Sequence, residues 1–152
     1  MKVWQLNSPH NLQREEAPDL VRGKDDVKVK VTKALLSEAD VAVFSGATRV
    51  KYPVVPGRFA IGQVTEAEKD SYLQKGDRVY LASVTEDECA PDGIRIAGET
   101  ACGFYRDFAL AGTEDAYALP VSVSDEAAFL IDAVAMAEHV VDELHISIGQ
   151  HV

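Results

Sequence analysis

The sequence predicts a mainly β domain of barrel or sandwich type, with one short helix and one long C-terminal helix. Three observations carry this expectation. Val27-Lys28-Val29-Lys30-Val31 alternates with strict period two, the signature of a strand with one dry and one wet face. Turn formers recur at short intervals, at Gly46, Pro53, Pro56-Gly57, Gly76-Asp77, Pro91-Asp92-Gly93 and Gly112. Beyond Ser124 the apolar residues change to helical spacing.

The elements follow in chain order. Lys2–Leu6 alternates, Asn7-Ser8-Pro9-His10 is a turn, and Leu12–Glu16 is its hairpin partner. The strand Val27–Val31 comes next, and Ser37–Phe44 is a short helix or turn rich in Ala, Val and Phe. Further strands are expected over Ala60–Glu66, Arg78–Ser83, Phe104–Ala111 and Ala116–Leu119, with Gly93–Gly98 a strand between turns. Gly103 starts a strand where close backbone approach is needed. Ser124-Asp125-Glu126 reads as a helix start, a hydroxyl cap followed by carboxylates at the positive end of the dipole. Ala127, Leu130, Ile131, Val134, Val140, Val141 and Leu144 then form a broad apolar stripe, so one side of a helix over Ser124–Leu144 is expected to face another body of protein.

Composition narrows the function. With 152 residues, 47% hydrophobic and 26% charged, the chain fits one folded domain rather than a disordered tail. Its net charge of −10 repels phosphate backbones and anionic lipids, so neither nucleic acid nor a membrane is an expected partner. No apolar run approaches the roughly 18 residues of a membrane-spanning helix. The polar residues that follow Met1–Leu6 do not fit a secretory signal. Cys89 and Cys102 lack metal-site spacing and read as reduced thiols, which suggests the cytoplasm, with a bridge between them as the alternative. His10, His139, His145 and His151 form no ligand pair, and no GxGxxG follows a strand and opens a helix, so no dinucleotide fingerprint is present.

The order of the segments is more specific than any one of them. Ser37-Glu38-Ala39-Asp40 is followed by Val55-Pro56-Gly57-Arg58-Phe59-Ala60-Ile61-Gly62-Gln63-Val64 and Lys75-Gly76-Asp77-Arg78-Val79. Gly103-Phe104-Tyr105-Arg106-Asp107-Phe108 and Ser124-Asp125-Glu126-Ala127-Ala128 complete the series. It resembles the N-terminal, GroES-like catalytic domain of the medium-chain dehydrogenase/reductase family, the zinc-type alcohol dehydrogenases and quinone reductases. The resemblance covers residues 1–152 and implies a partly open β-barrel, with 124–152 as the crossover helix and first turn toward a missing Rossmann domain. That missing nucleotide-binding domain would hold the cofactor, so NAD(P) belongs to the full-length parent only.

The resemblance also assigns positions. The zinc enzymes of the family carry a thiolate where Ser37 stands, a relay hydroxyl where Ala39 stands, and retain the acid at Asp40. Their Gly-His-Glu cluster is Gly57-Arg58-Phe59 here, Asp132 falls at the third-ligand position, and the four-cysteine structural lobe is reduced to Cys89. Borderline-soft zinc prefers sulfur and imidazole, and a guanidinium cannot ligate it, so no zinc is expected. Glu38 is a mildly repulsive residue where some members place an arginine on the cofactor pyrophosphate.

Ser37, Asp40, Arg58, Phe59 and Asp132 are therefore the substrate-pocket candidates. Arg58 either polarises a carbonyl or holds a carboxylate, or pairs with Asp40 or Asp132 in the vacated metal space; Phe59 is pocket wall or core. The implied function is the substrate-side domain of a zinc-independent NAD(P)-dependent oxidoreductase acting on a small molecule, inactive as an isolated chain. The alternative is a stand-alone, non-catalytic module that binds a partner or forms a homo-oligomer through the apolar face of its last helix. A co-chaperonin shares the barrel type but not the Gly57–Asp77 pattern or the terminal helix.

Overall fold

The computed structural model describes residues 1–147, 149 and 150. The expected turn toward a further domain involves Ile148, His151 and Val152, which lie outside the described residues. Two strands, β1 (Lys2–Ser8) and β2 (Asn11–Glu16), form the predicted N-terminal hairpin around Pro9-His10. Next come β3 (Asp26–Leu35), α1 (Glu38–Ser45), β4 (Phe59–Glu66) and β5 (Arg78–Leu81). A second hairpin, β6 (Val84–Glu86) with β7 (Ile94–Ile96), precedes β8 (Phe108–Gly112) and β9 (Ala116–Ala118).

The main sheet is antiparallel in the order β8-β3-β4-β5-β9, with its two outer strands unpaired to one another, which makes it an open half-barrel. Its concave face is filled by Val27, Val29, Val64, Val79, Leu81 and Phe104. Val27 and Val29 are fully buried while Lys30 is exposed, as the period-two pattern requires. The outer strand β9 is three residues long and is followed, after Leu119, by Pro120.

The strand expected over Phe104–Ala111 enters the sheet only at Phe108. Residues 103–105 instead donate their amides to another loop: Gly103 to Val55 O (2.7 Å), Phe104 to Gly57 O (2.9 Å) and Tyr105 to Pro56 O (3.0 Å). The same stretch receives β1, with Trp4 N bonded to Tyr105 O at 2.8 Å and a bridge between Val3 and Arg106. Gly103 makes this junction feasible. A Cβ there would lie 2.5 Å from the carbonyl oxygens of both Pro56 and Gly57.

The single helix expected over Ser124–Leu144 is two helices, α2 (Asp125–Ala128) and α3 (Ile131–Glu143). Ser124 caps the first as predicted, accepting from Ala127 N. The break comes at Phe129 and Leu130, whose ψ angles of −7° and −2° tighten the chain. Leu130 N then bonds Ala127 O, three residues back, at 3.0 Å. Phe129 and Ile131 turn onto the barrel beside Ile61, Tyr80 and Ala128, and that packing outweighs a continuous helical ladder. Lys33 (2.8 Å) and Arg78 (3.7 Å) both pair with Asp125 and anchor the start of α2. Beyond this anchor α3 has no buried residue, and Leu130, Val134, Met136 and Leu144 are exposed. No described helix is long and apolar enough to cross a membrane.

Two glycine substitutions should separate crowding from backbone strain. Gly103→Ala drives a Cβ into backbone oxygens that cannot yield and is expected to destabilise by about 3 kcal/mol. Gly76→Ala meets open space and pays only for its φ of +102°, about 1–2 kcal/mol. Urea midpoints at unchanged m-value measure both.

Candidate functional site

The site is built around the loop between α1 and β4. Ser37 is the N-cap of α1, and its hydroxyl and Asp40 form a reciprocal capping box. Asp40 is 4% exposed and its carboxylate accepts four hydrogen bonds. Ser37 donates from N at 2.9 Å and from Oγ at 2.6 Å, and the Gly57 and Arg58 amides donate at 2.9 and 3.2 Å. Ser37 and Asp40 are thereby brought together as predicted, in a positioning role: every acceptor site faces a donor of this chain, and the loop that carries Arg58 is tied to α1.

The Arg58 side chain pairs with neither Asp40 nor Asp132. Its guanidinium forms a half-buried ion pair with Glu99, on the turn after β7. Only the Arg58 amide meets Asp40. Sequence reasoning named the need for a carboxylate but not the right one, because 41 residues and a hairpin separate the partners and Glu99 is one of 25 acids. Phe59 resolves toward the core, packing with Ile61, Tyr80 and Ala128.

Asp132 lies in the first turn of α3, which the Phe129–Leu130 break turns toward the barrel. Its carboxylate accepts from the Ser83 hydroxyl just beyond β5, and Ser83 is buried. Tyr80, fully buried on β5, lies beside Asp132 with its hydroxyl unpartnered among the described residues. Burial first, and the nearby Asp132 charge second, push the Tyr80 phenol far above its usual range; Arg58 opposes this more weakly. Burial and the Asp40 charge do the same to Tyr105, whose hydroxyl donates to Leu35 O at 3.2 Å. Arg58, Glu99, Tyr80, Ser83 and Asp132 thus compose one polar cluster, of which the sequence marked only Arg58 and Asp132. A period-two reading of β5 would have put Tyr80 on the solvated face; α2 and Phe129 cover that face.

Chemically, the cluster offers a fixed cation, a carboxylate held by a hydroxyl, and a phenol that stays protonated. Among the described residues no three His, Cys, Asp or Glu side chains converge on one point. Ser37, Arg58 and Asp132, at the three positions the resemblance marks as ligands, are bonded to Asp40, Glu99 and Ser83 respectively.

Comparison with known proteins places this geometry in context. Residues 23–133 match the model of the alcohol dehydrogenase GroES-like domain. The chain is 30% identical over 137 residues to an acryloyl-coenzyme A reductase of Sulfurisphaera tokodaii, covering 79% of this chain and 40% of that protein. It is 25% identical over 151 residues to a sorbitol dehydrogenase of Halalkalibacterium halodurans, covering 91% and 44%. It therefore spans about two fifths of the length of these curated relatives. A crystal structure of an Escherichia coli alcohol dehydrogenase complexed with NADH superposes with a TM-score of 0.82 at 23% identity, over 94% of this chain and 45% of that one.

Two measurements follow from the buried polar groups. Asp40→Ala leaves the Gly57 and Arg58 amides without their acceptor and is expected to destabilise by about 3 kcal/mol, read from denaturant midpoints. The tyrosines predict alkaline lability. Above a pH near 10 the unfolded phenols ionise while folded Tyr80 and Tyr105 stay protonated, so stability falls as pH rises. Tyr80→Phe should flatten that alkaline slope without changing the slope below pH 9.

Proposed function

Because the chain belongs to the alcohol dehydrogenase GroES-like domain family, we propose that it is the substrate-side domain of an NAD(P)-dependent oxidoreductase that works without catalytic zinc. The single observation that carries the zinc-free reading is the Arg58–Glu99 pair. It puts a permanent, already neutralised cation at a ligand position. The donor set does not fit the metal: a hydroxyl committed to a capping box, a guanidinium and one carboxylate lack the sulfur and imidazole zinc selects.

A nicotinamide nucleotide held by a second domain would supply hydride. This chain's residues do the orienting. Arg58 directs N–H donors at a substrate oxygen on which negative charge develops, while Glu99 holds the guanidinium in place. Phe59 and the core behind it keep water from that side of the pocket. The Tyr80 phenol, protonated throughout the working range, and the Ser83–Asp132 pair support the site from the buried side. The substrate class that fits is a small carbonyl compound or activated alkene, and the likeness to an acryloyl-coenzyme A reductase supports the latter. Alone, the chain lacks the hydride donor's binding loop and is inactive.

A second reading rests on a different observation. The exposed apolar residues of α3, Leu130, Val134, Val140 and Leu144 among them, favour a non-catalytic module that self-associates through this helix.

The test begins with the mass of the gene product in its own source. A product roughly twice 16.5 kDa leaves room for a nucleotide domain of about 150–200 residues, and the enzyme reading requires it. In that product Arg58→Met is expected to lower kcat/KM for alkene or carbonyl reduction by about 100-fold, with substoichiometric zinc by elemental analysis. Alcohol oxidation with NAD by the 152-residue chain, or a full equivalent of zinc, overturns the proposal. A native product of 16.5 kDa whose sedimentation depends on concentration selects the second reading.

A further inference from the structure

Among the described residues, Arg106 is a half-buried arginine whose side chain has no hydrogen-bond or ion-pair partner. Its Nε is inaccessible to water and has no hydrogen-bond partner among the described residues. Among the described residues no carboxylate lies within ion-pair distance of its guanidinium, whereas Arg22, Arg58, Arg78 and Arg95 each hold one. Burial lowers its pKa from the usual arginine range, and the thiol of Cys102 is the ionisable neighbour that acts on it. A shielded Nε–H without an acceptor is an unfavourable feature that a ligand oxygen would relieve.

It lies on the wall of a cavity of about 350 Å³. One part of the lining is apolar, with Ala97, Phe104 and Leu110; the other is polar, with Ser83, Thr85 and Cys102. Arg95 reaches the wall too, but Asp87 holds its Nε at 2.6 Å. Asp26 and Asp115 also line it, and Asp26 accepts from Gly23 N at 3.1 Å. Ser83, which bonds Asp132, is shared with the cluster described above; Arg58, Glu99 and Asp132 are not part of this lining.

We propose that this cavity binds a short-chain carboxylate, its two oxygens on the Arg106 guanidinium and its alkyl part against Phe104 and Ala97. The planar fork of arginine matches a carboxylate in bidentate geometry. Charge selects the monoanion. One uncommitted cation balances one negative charge, while a phosphate dianion would bring a second toward Asp26 and Asp115. The apolar lining favours an anion with a tail over a purely inorganic one. The site is independent of the oxidoreductase reading and holds or falls without it.

Propionate titrated into the 152-residue chain, at constant ionic strength against sodium chloride, tests this. The expected result is a rise in Tm of about 3–6 °C at ten times the dissociation constant, with formate weaker than propionate. Arg106→Met should abolish the rise, and Arg95→Met should leave it intact. Arg106→Lys, which keeps the charge and loses the fork, should weaken binding at least about 10-fold, and it decides the matter if Arg106→Met does not fold. An equal rise with chloride, a larger one with phosphate, or an undiminished response in Arg106→Lys overturns the proposal. So does a wild-type Tm indifferent to propionate, which would mean that water alone satisfies the guanidinium.

Discussion

The carboxylate of Asp40 is the interaction on which the rest of the site depends. Buried, it is satisfied by four donors that converge on it, and those donors come from two separate pieces of chain. Two belong to Ser37, at the start of α1; the others are the amides of Gly57 and Arg58, at the entrance to β4. The loop so fixed exposes the carbonyls of Val55, Pro56 and Gly57, and these receive the amides of residues 103–105. That second segment in turn holds β1 through Tyr105 and Arg106. One side chain thus sets a helix cap, the direction of Arg58 and, two steps on, the seat of the N-terminal hairpin.

Charge in the candidate site is arranged in pairs, each assembled from distant segments. Arg58 meets Glu99 and Asp132 meets Ser83, while Tyr80 between them carries no charge at all. A guanidinium–carboxylate pair and a metal ion both present positive charge to a substrate oxygen, but they differ in kind. The metal offers an open coordination position and acidifies what binds there; the guanidinium offers directed N–H groups and leaves the acidity of its ligand nearly unchanged. A pocket of the second kind suits reactions that need an oxygen oriented rather than a hydroxyl deprotonated.

Much of the fold was legible because local chemistry and tertiary packing agree. The valines of β3, the Pro9-His10 turn and the Ser37 and Ser124 caps are each properties of a few neighbouring residues. The departures arise where distant contacts prevail. The helix breaks at Phe129 because the aromatic ring gains more from Ile61 and Tyr80 than the backbone loses. The segment from Phe104 delays joining the sheet because the Pro56–Gly57 loop offers acceptors first. Strand β6 went unseen because its three residues run straight into an acidic cluster, and only pairing with β7 gives it order. In the site, side chains at marked positions were readable; Glu99, Tyr80 and Ser83 were not, since nothing in their own neighbourhoods signals where the fold will carry them.

The open half-barrel has a cost that its outer strands contain. A sheet that does not close on itself leaves rows of unpaired amides and carbonyls at two margins, a template for strand addition by other chains. Here β9 is only three residues long, and Pro120 follows it with no amide to donate, while β8 spans five residues and turns at Gly112. Neither margin is long enough to recruit a foreign strand. The barrel can therefore remain open, its concave face packed with side chains, without long free edges that invite strand addition.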